Sequence, residues 1–188
     1  VARQQSIQAA TAGAAERDFH AWQPGRLMHV NSLTTGVATL IRNPKEPTMN
    51  ILLAVDGSAY SKKMLAYLAT HDGMFSPAND YTVFTAQAAL PPRARAAVGK
   101  AVVESYYADE SEKVIAPVSK FLLRHGINAK SSWKVGQAGL LIAKLAEDGK
   151  FDMVVMGSHG HGAWANLVMG SVATQVLAHC KVPVLMVR

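Results

Sequence analysis

From Met49 onward, short apolar runs alternate with stretches in which hydrophobic side chains recur every three or four residues, a strand-then-helix rhythm. Ile51-Leu52-Leu53-Ala54-Val55, closed by Asp56-Gly57-Ser58, predicts a strand buried on both faces and a sharp turn after it. Tyr60, Met64, Tyr67 and Leu68 then make one helical stripe, which Asp72-Gly73 terminates. Residues 81–86 predict a second strand, and Pro91-Pro92 marks the loop beyond it. From about residue 102 to 124, Val103, Tyr107, Val114, Val118, Phe121 and Leu122 keep helical spacing. Pro117 inside that pattern predicts a kink or a break, and Gly126 the stop. Ile127, Ala129, Ser131, Trp133 and Val135 alternate with polar residues, so they predict a strand with one wetter face near a sheet edge. Leu141, Ile142 and Leu145 predict a short helix up to Gly149, residues 153–156 a buried strand, residues 171–179 a last helix and residues 183–187 a final strand.

The order β-α-β-α-β-α-β-α-β predicts an α/β fold: a doubly wound, five-stranded, mainly parallel sheet with helices on both faces. Residues 1–48 differ, with no sustained period and only residues 37–41 passing for a short strand before the turn-rich Asn43-Pro44-Lys45-Glu46-Pro47. Two readings of that extension compete, a flexible arm or a gene-start artefact with Met49 as the true beginning. We favour the second, because Lys45-Glu46 can be encoded by AAGGAG, which resembles a bacterial ribosome-binding site six nucleotides before the Met49 codon.

Composition narrows the classes. With 49% hydrophobic and 17% charged residues the chain has material for a core, which excludes wholesale disorder. The single cysteine, Cys180, forms no internal disulfide or cysteine-based zinc cluster and is expected to be structural. No apolar run approaches the roughly 18–20 residues of a membrane span, and the N-terminus lacks a secretory layout, so a cytoplasmic location is expected. The +6 charge is diffuse, with Lys62-Lys63 and Arg93/Arg95 the only local basic pairs, so no nucleic-acid partner is expected.

Ligands of a doubly wound sheet bind outside the carboxyl ends of the strands, where strand order reverses. That rule nominates Asp56-Gly57-Ser58 and Gly157-Ser158-His159-Gly160-His161-Gly162. The glycines permit unusual backbone conformations and close approach of main-chain N–H groups to an anion. Gly170-Ser171 then opens an apolar-periodic helix whose start suits a phosphate. The ordinary alternatives are a tight turn for each glycine and an N-cap for Ser171. No Walker loop and no G-x-G-x-x-G is present.

Asp56 is open to two roles, hydrogen bonding to a ribose or adenine, or capping the following helix. His159 and His161 either lend charge to a phosphate or sit as exposed loop residues. His20, His29, His71, His125 and His179 are scattered, and Met153 reads as core. Trp164 either packs a loop segment or flanks a partner. No catalytic or metal-binding constellation emerges. Ser58, His159 and Asp56 are not ordered by any G-x-S-x-G elbow, and the motif lacks the lysine and second acid that phosphoryl transfer wants, so any ATP hydrolysis should be slow.

Gly157-x2-Gly160-x9-Gly170-Ser171, together with Val55-Asp56-Gly57-Ser58 and Pro183-Val184-Leu185-Met186-Val187, resembles the universal stress protein family over residues 49–188. The glycine spacing is similar to that of the ATP-binding branch. The resemblance implies a Rossmann-like fold of the adenine nucleotide alpha hydrolase type. It also implies an ATP ligand accompanied by Mg²⁺, and a homodimer through the last strand. It carries adenine and ribose contacts onto Ala54, Val55, Asp56 and Ala86, nucleoside contacts onto Met156 and Gly157, and phosphate contacts onto Gly160, Gly170, Ser171 and Val172. Ala173 departs from the hydroxyl residue of some ATP-binding relatives. The implied function is a nucleotide-dependent stress-response regulator. The rivals are an adenine-nucleotide hydrolase or transferase, betrayed by turnover above about one per second, and a dimerisation module with a vestigial pocket, which copurifying nucleotide would reject.

Overall fold

The computed structural model describes residues 48–162 and 169–188. The run 37–41, His20, His29 and Trp164 lie outside the described residues. Strands β1 (Asn50–Ala54), β2 (Asp80–Gln87), β3 (Lys130–Val135), β4 (Met153–Gly157) and β5 (Val184–Val187) form one sheet in the order β3-β2-β1-β4-β5. Every pairing is parallel. Helices α1 (Ala59–Thr70), α2 (Pro92–Val98), α3 (Lys100–Arg124), α4 (Ala138–Asp148) and α5 (Ser171–His179) connect them.

Period-2 alternation along β1 divides the core into two layers. Ile51, Leu53 and Val55 pack with Met64, Leu68, Ile115, Val118 and Leu122 of α1 and α3. Leu52 and Ala54 point the other way, against Ile142 and Ala146 of α4 and Ala173 and Val176 of α5. Ile51, Leu52 and Leu53 are fully buried, as expected for a central parallel strand covered by helices on both sides. The stripe of α1 is rotated slightly from the expected one: Ser61, Met64, Leu65 and Leu68 are buried, while Tyr60 and Tyr67 sit at its half-buried margins.

Three expectations need correction. Pro117 neither breaks nor ends its helix, because α3 runs through it for 25 residues. Burial of Val103 and Tyr107 before it and Ile115, Val118 and Leu122 around and after it outweighs the roughly 3 kcal/mol that an interior proline costs. The chain breaks instead at Gly99, whose φ of +83° separates α3 from the unpredicted α2. The third correction is Ile127, which belongs to the end of α3. Its N–H donates to Leu122 O (3.0 Å) and that of Gly126 to Leu123 O (3.0 Å), the paired bonds of a Schellman cap with Gly126 at φ +77°. Strand β3 therefore starts only at Lys130, on the sheet edge as expected.

Candidate nucleotide site

Strand order reverses at β1, which has β2 on one side and β4 on the other. At their carboxyl ends Ala54 is in register with both Phe84 of β2 and Met156 of β4. All three side chains belong to the layer facing α4 and α5. They floor a cavity of about 490 Å³, within the usual range for small-molecule sites.

All ten residues carried over by resemblance line this one cavity: Ala54, Val55, Asp56, Ala86, Met156, Gly157, Gly160, Gly170, Ser171 and Val172. Sequence reasoning missed Phe84 of the floor, an apolar wall made by Ala138 and Ile142, and a hydroxyl, Ser61. Phe84 was within reach, since period 2 puts it on the same strand face as Ala86. Ala138 and Ile142 could be added only by knowing where α4 docks.

The turn after β1 is tied by Asp56. Its Oδ1 accepts from Ser58 N–H (2.9 Å) and from Ser61 O–H (2.8 Å), and its own N–H donates to Ser61 Oγ (3.1 Å). The N-cap of α1 is Ser58, whose side chain accepts from Ser61 N–H at 3.3 Å. Asp56 thus braces the capped turn with one oxygen and turns Oδ2 toward Gly160, 2.6 Å from where a Cβ on that glycine would stand.

The glycines work by space. None of Gly157, Gly160 and Gly170 has the positive φ that the sequence reading allowed for. A Cβ on Gly157 would lie 2.7 Å from Tyr60 Cβ and 3.0 Å from Tyr60 C, so its absence lets α1 press on β4. On Gly170 it would lie 3.2 Å from both His159 Cα and Ser158 O. The Gly170 N–H does not face an anion, because it donates to Ser158 O (2.9 Å) and docks the start of α5 on the β4 loop. The donors left at that helix start are the N–H groups of Ser171, Val172 and Ala173, which helix geometry leaves without intrahelical acceptors and no capping side chain covers.

The two histidines differ. His159 is no exposed loop residue: it is 6% accessible, its Nδ1 lies 3.0 Å from Ser158 Oγ, and its ring sits 4.9 Å from that of Tyr60. His161 is exposed at the cavity, with Nε2 2.8 Å from Asp56 O. A carbonyl only accepts, so Nε2 carries the proton in this contact.

A parallel sheet in this order, with a cavity at its reversal point and a helix start directed into it, defines a doubly wound α/β protein with a ligand-sized cleft where such folds bind their ligands. Residues 47–188 match the model of the universal stress protein family. The chain belongs to that family. Among curated relatives, the universal stress protein Slr1230 of Synechocystis is 30% identical over 138 residues, which are 73% of this chain and 42% of the relative. The chain thus spans less than half of that relative's length. Among solved structures, that of MJ0577 from Methanocaldococcus jannaschii superposes with a TM-score of 0.63 at 22% identity, covering 74% of this chain and 94% of the other. A universal stress protein family protein from Arabidopsis thaliana, solved with AMP bound, superposes with a TM-score of 0.54 at 15% identity, covering 75% and 91%. At these identities the two structures establish likeness of fold.

Proposed function

We propose that this protein is a nucleotide-dependent stress-response regulator that binds ATP in the cavity between β1 and β4. The observation that carries the reading is the uncapped start of α5, whose Ser171, Val172 and Ala173 line the same cavity as the apolar floor of Ala54, Phe84 and Met156. One end suits phosphate oxygens and the other an adenine face. Occupancy regulates if two states or partner complexes of the protein differ in nucleotide affinity.

Mg²⁺ fits this site only as an ion carried on the nucleotide. Among the described residues no cluster of three or more His, Cys, Asp or Glu exists, and Asp56 is the single carboxylate in the cavity lining. Mg²⁺ commonly takes one or two carboxylates with substrate phosphates and water. Among the described residues the lining holds no lysine, in keeping with the expectation that any hydrolysis is slow. The same reading gives β5 to a second copy of the chain: it is an edge strand, partly exposed along Val184–Val187, with main-chain groups open on one side. Among the described residues no helix is long and apolar enough to cross a membrane.

The test is thermal denaturation of the full chain with and without MgATP. At a hundredfold excess over Kd the expected stabilisation is about 2.7 kcal/mol. No shift at millimolar nucleotide overturns the proposal.

A further inference from the structure

The sheet edge opposite β5 carries features that the nucleotide reading does not use. Among the described residues β3 pairs with β2 alone, so one row of its main-chain N–H and C=O groups faces outward. Beside it lies a groove of about 550 Å³, lined by Trp133 and Val135 of β3, Arg95 of α2, and Lys100, Val103 and Tyr107 of α3. In register, Trp133 stands beside Thr85 and Val135 beside Gln87, whereas Phe84 and Ala86, which alternate with them along β2, belong to the layer facing α4 and α5. Period 2 therefore puts the groove on the opposite face of the sheet from the nucleotide cavity. Its wall is fixed, because Tyr107 is buried and its hydroxyl accepts from Leu90 N–H at 2.7 Å. Its floor is open: Trp133 is 37% accessible.

Charge narrows the occupant. Lys130 and Lys134 occupy the other face of β3, and Arg95 and Lys100 border the groove. Lys100 is paired at 3.6 Å with Glu104, the single acid of the groove lining, whereas Arg95, Lys130 and Lys134 form no ion pair with any described residue. Lysines on an edge strand discourage addition of a like strand. A second β3 laid antiparallel about Ser132 would set Lys130 opposite Lys134, a repulsive pair. An acidic strand meets attraction at the same positions. Alternate side chains of an added strand lie on opposite faces, so one set would cover Trp133 and Val135 and the other would run beside Lys130 and Lys134.

We infer that the β3 edge docks an extended acidic segment of a partner protein, in which apolar and carboxylate side chains alternate, as a further strand of the sheet. Its apolar side chains fill the groove and its carboxylates answer the two lysines, while main-chain hydrogen bonds supply the pairing. The inference holds whether or not the cavity on the other face binds a nucleotide.

The experiment is fluorescence anisotropy of labelled peptides with the full-length protein at low salt. The probes are Glu-Val-Glu-Leu-Glu-Val-Glu, the same peptide with Lys for every Glu, and the acidic peptide N-methylated at its central Leu and the following Glu. Neighbouring N–H groups of a strand point to opposite sides, so one of those two methyl groups faces β3 in either register. The acidic peptide binds the wild type about tenfold or more tighter than the basic and the N-methylated ones. Trp133→Ala weakens it several-fold, and Lys130→Glu combined with Lys134→Glu inverts the preference between acidic and basic peptides. No binding of the acidic peptide at millimolar concentration, or equal binding of acidic and basic peptides, overturns the inference. Equal binding of the N-methylated peptide also overturns it, since attraction would then act without strand pairing. An oligothymidylate bound more tightly than the acidic peptide assigns the surface to nucleic acid and overturns it as well. If the variants do not fold, the comparison of the three peptides on the wild type decides.

Discussion

Replacing Gly157 by alanine tests whether that glycine serves packing, independently of any ligand. The added methyl would stand 2.7 Å from Tyr60 Cβ and 3.0 Å from the Tyr60 carbonyl carbon, whereas carbon atoms rest at about 3.5–4.0 Å. The shortfall is on the order of 1 Å. It falls on the backbone of α1, so no side-chain rotation relieves it, and the helix must lift from β4. Overpacking of this kind costs about 1–3 kcal/mol. The lower chain entropy of unfolded alanine returns about 0.4–1 kcal/mol, since φ at Gly157 suits an L-residue. The expected net loss is about 1–2 kcal/mol, read from urea denaturation followed by circular dichroism with an unchanged m-value. A companion effect is expected at His159, whose ring packs on Tyr60 and whose NMR signals should shift. A net change below about 0.5 kcal/mol, the scatter of surface substitutions, would refute the argument that α1 and β4 meet through this glycine.

Two further outcomes follow from the fold. Gly126→Ala should cost about 1 kcal/mol through its φ of +77° rather than through crowding, because its nearest neighbour, Pro77, is at an ordinary 3.8 Å. Gly126→Asn should cost less, and a urea series ranking Gly, Asn and Ala otherwise would contradict the cap. Burial holds the Tyr81 phenol above its usual pKa, with the side-chain bond from Asn79 opposing in part. A raised phenol pKa means stability that is complete below about pH 10 and lost as pH climbs through the folded value. Tyr81→Phe should therefore soften the alkaline fall in Tm, while losing about 1 kcal/mol at neutral pH with the hydrogen bond from Tyr81 Oη to Ser76 O (3.1 Å). Parallel alkaline profiles for the two proteins would exclude Tyr81 as the source.

What could be read from the chain before its structure divides along a physical line. Buried strands and amphipathic helices announce themselves through periodicity, and the reversal point follows from the crossover rules, so the two site loops were legible. Helix α2 was not, since none of its residues is buried and a helix with no apolar face leaves no period. Its Pro92 sits in the first helical turn, where a missing N–H is no loss, yet in sequence Pro91-Pro92 reads as a loop. The glycines at 157, 160 and 170 could be located, but not their purpose. Whether a glycine supplies an unusual φ or merely makes room depends on the atom across from it: Tyr60, Asp56 and Ser158 are that atom's owners here, and all but Ser158 are distant in sequence. The mating of the Gly170 amide with the Ser158 carbonyl belongs to the same class of tertiary fact.

Because β1 and β4 are adjacent in space but lie on opposite sides of about half the chain, the pocket has no existence in any partial product of synthesis. A nascent polypeptide emerging as far as β3 would own one lip of it and none of the opposing one. Only when β4 slots in beside β1 do His161 and Asp56 clasp across 105 positions of sequence. If the proposed site captures a fluorescent adenylate, the signal would accordingly report the pairing of β4 with β1 and not the earlier strands alone.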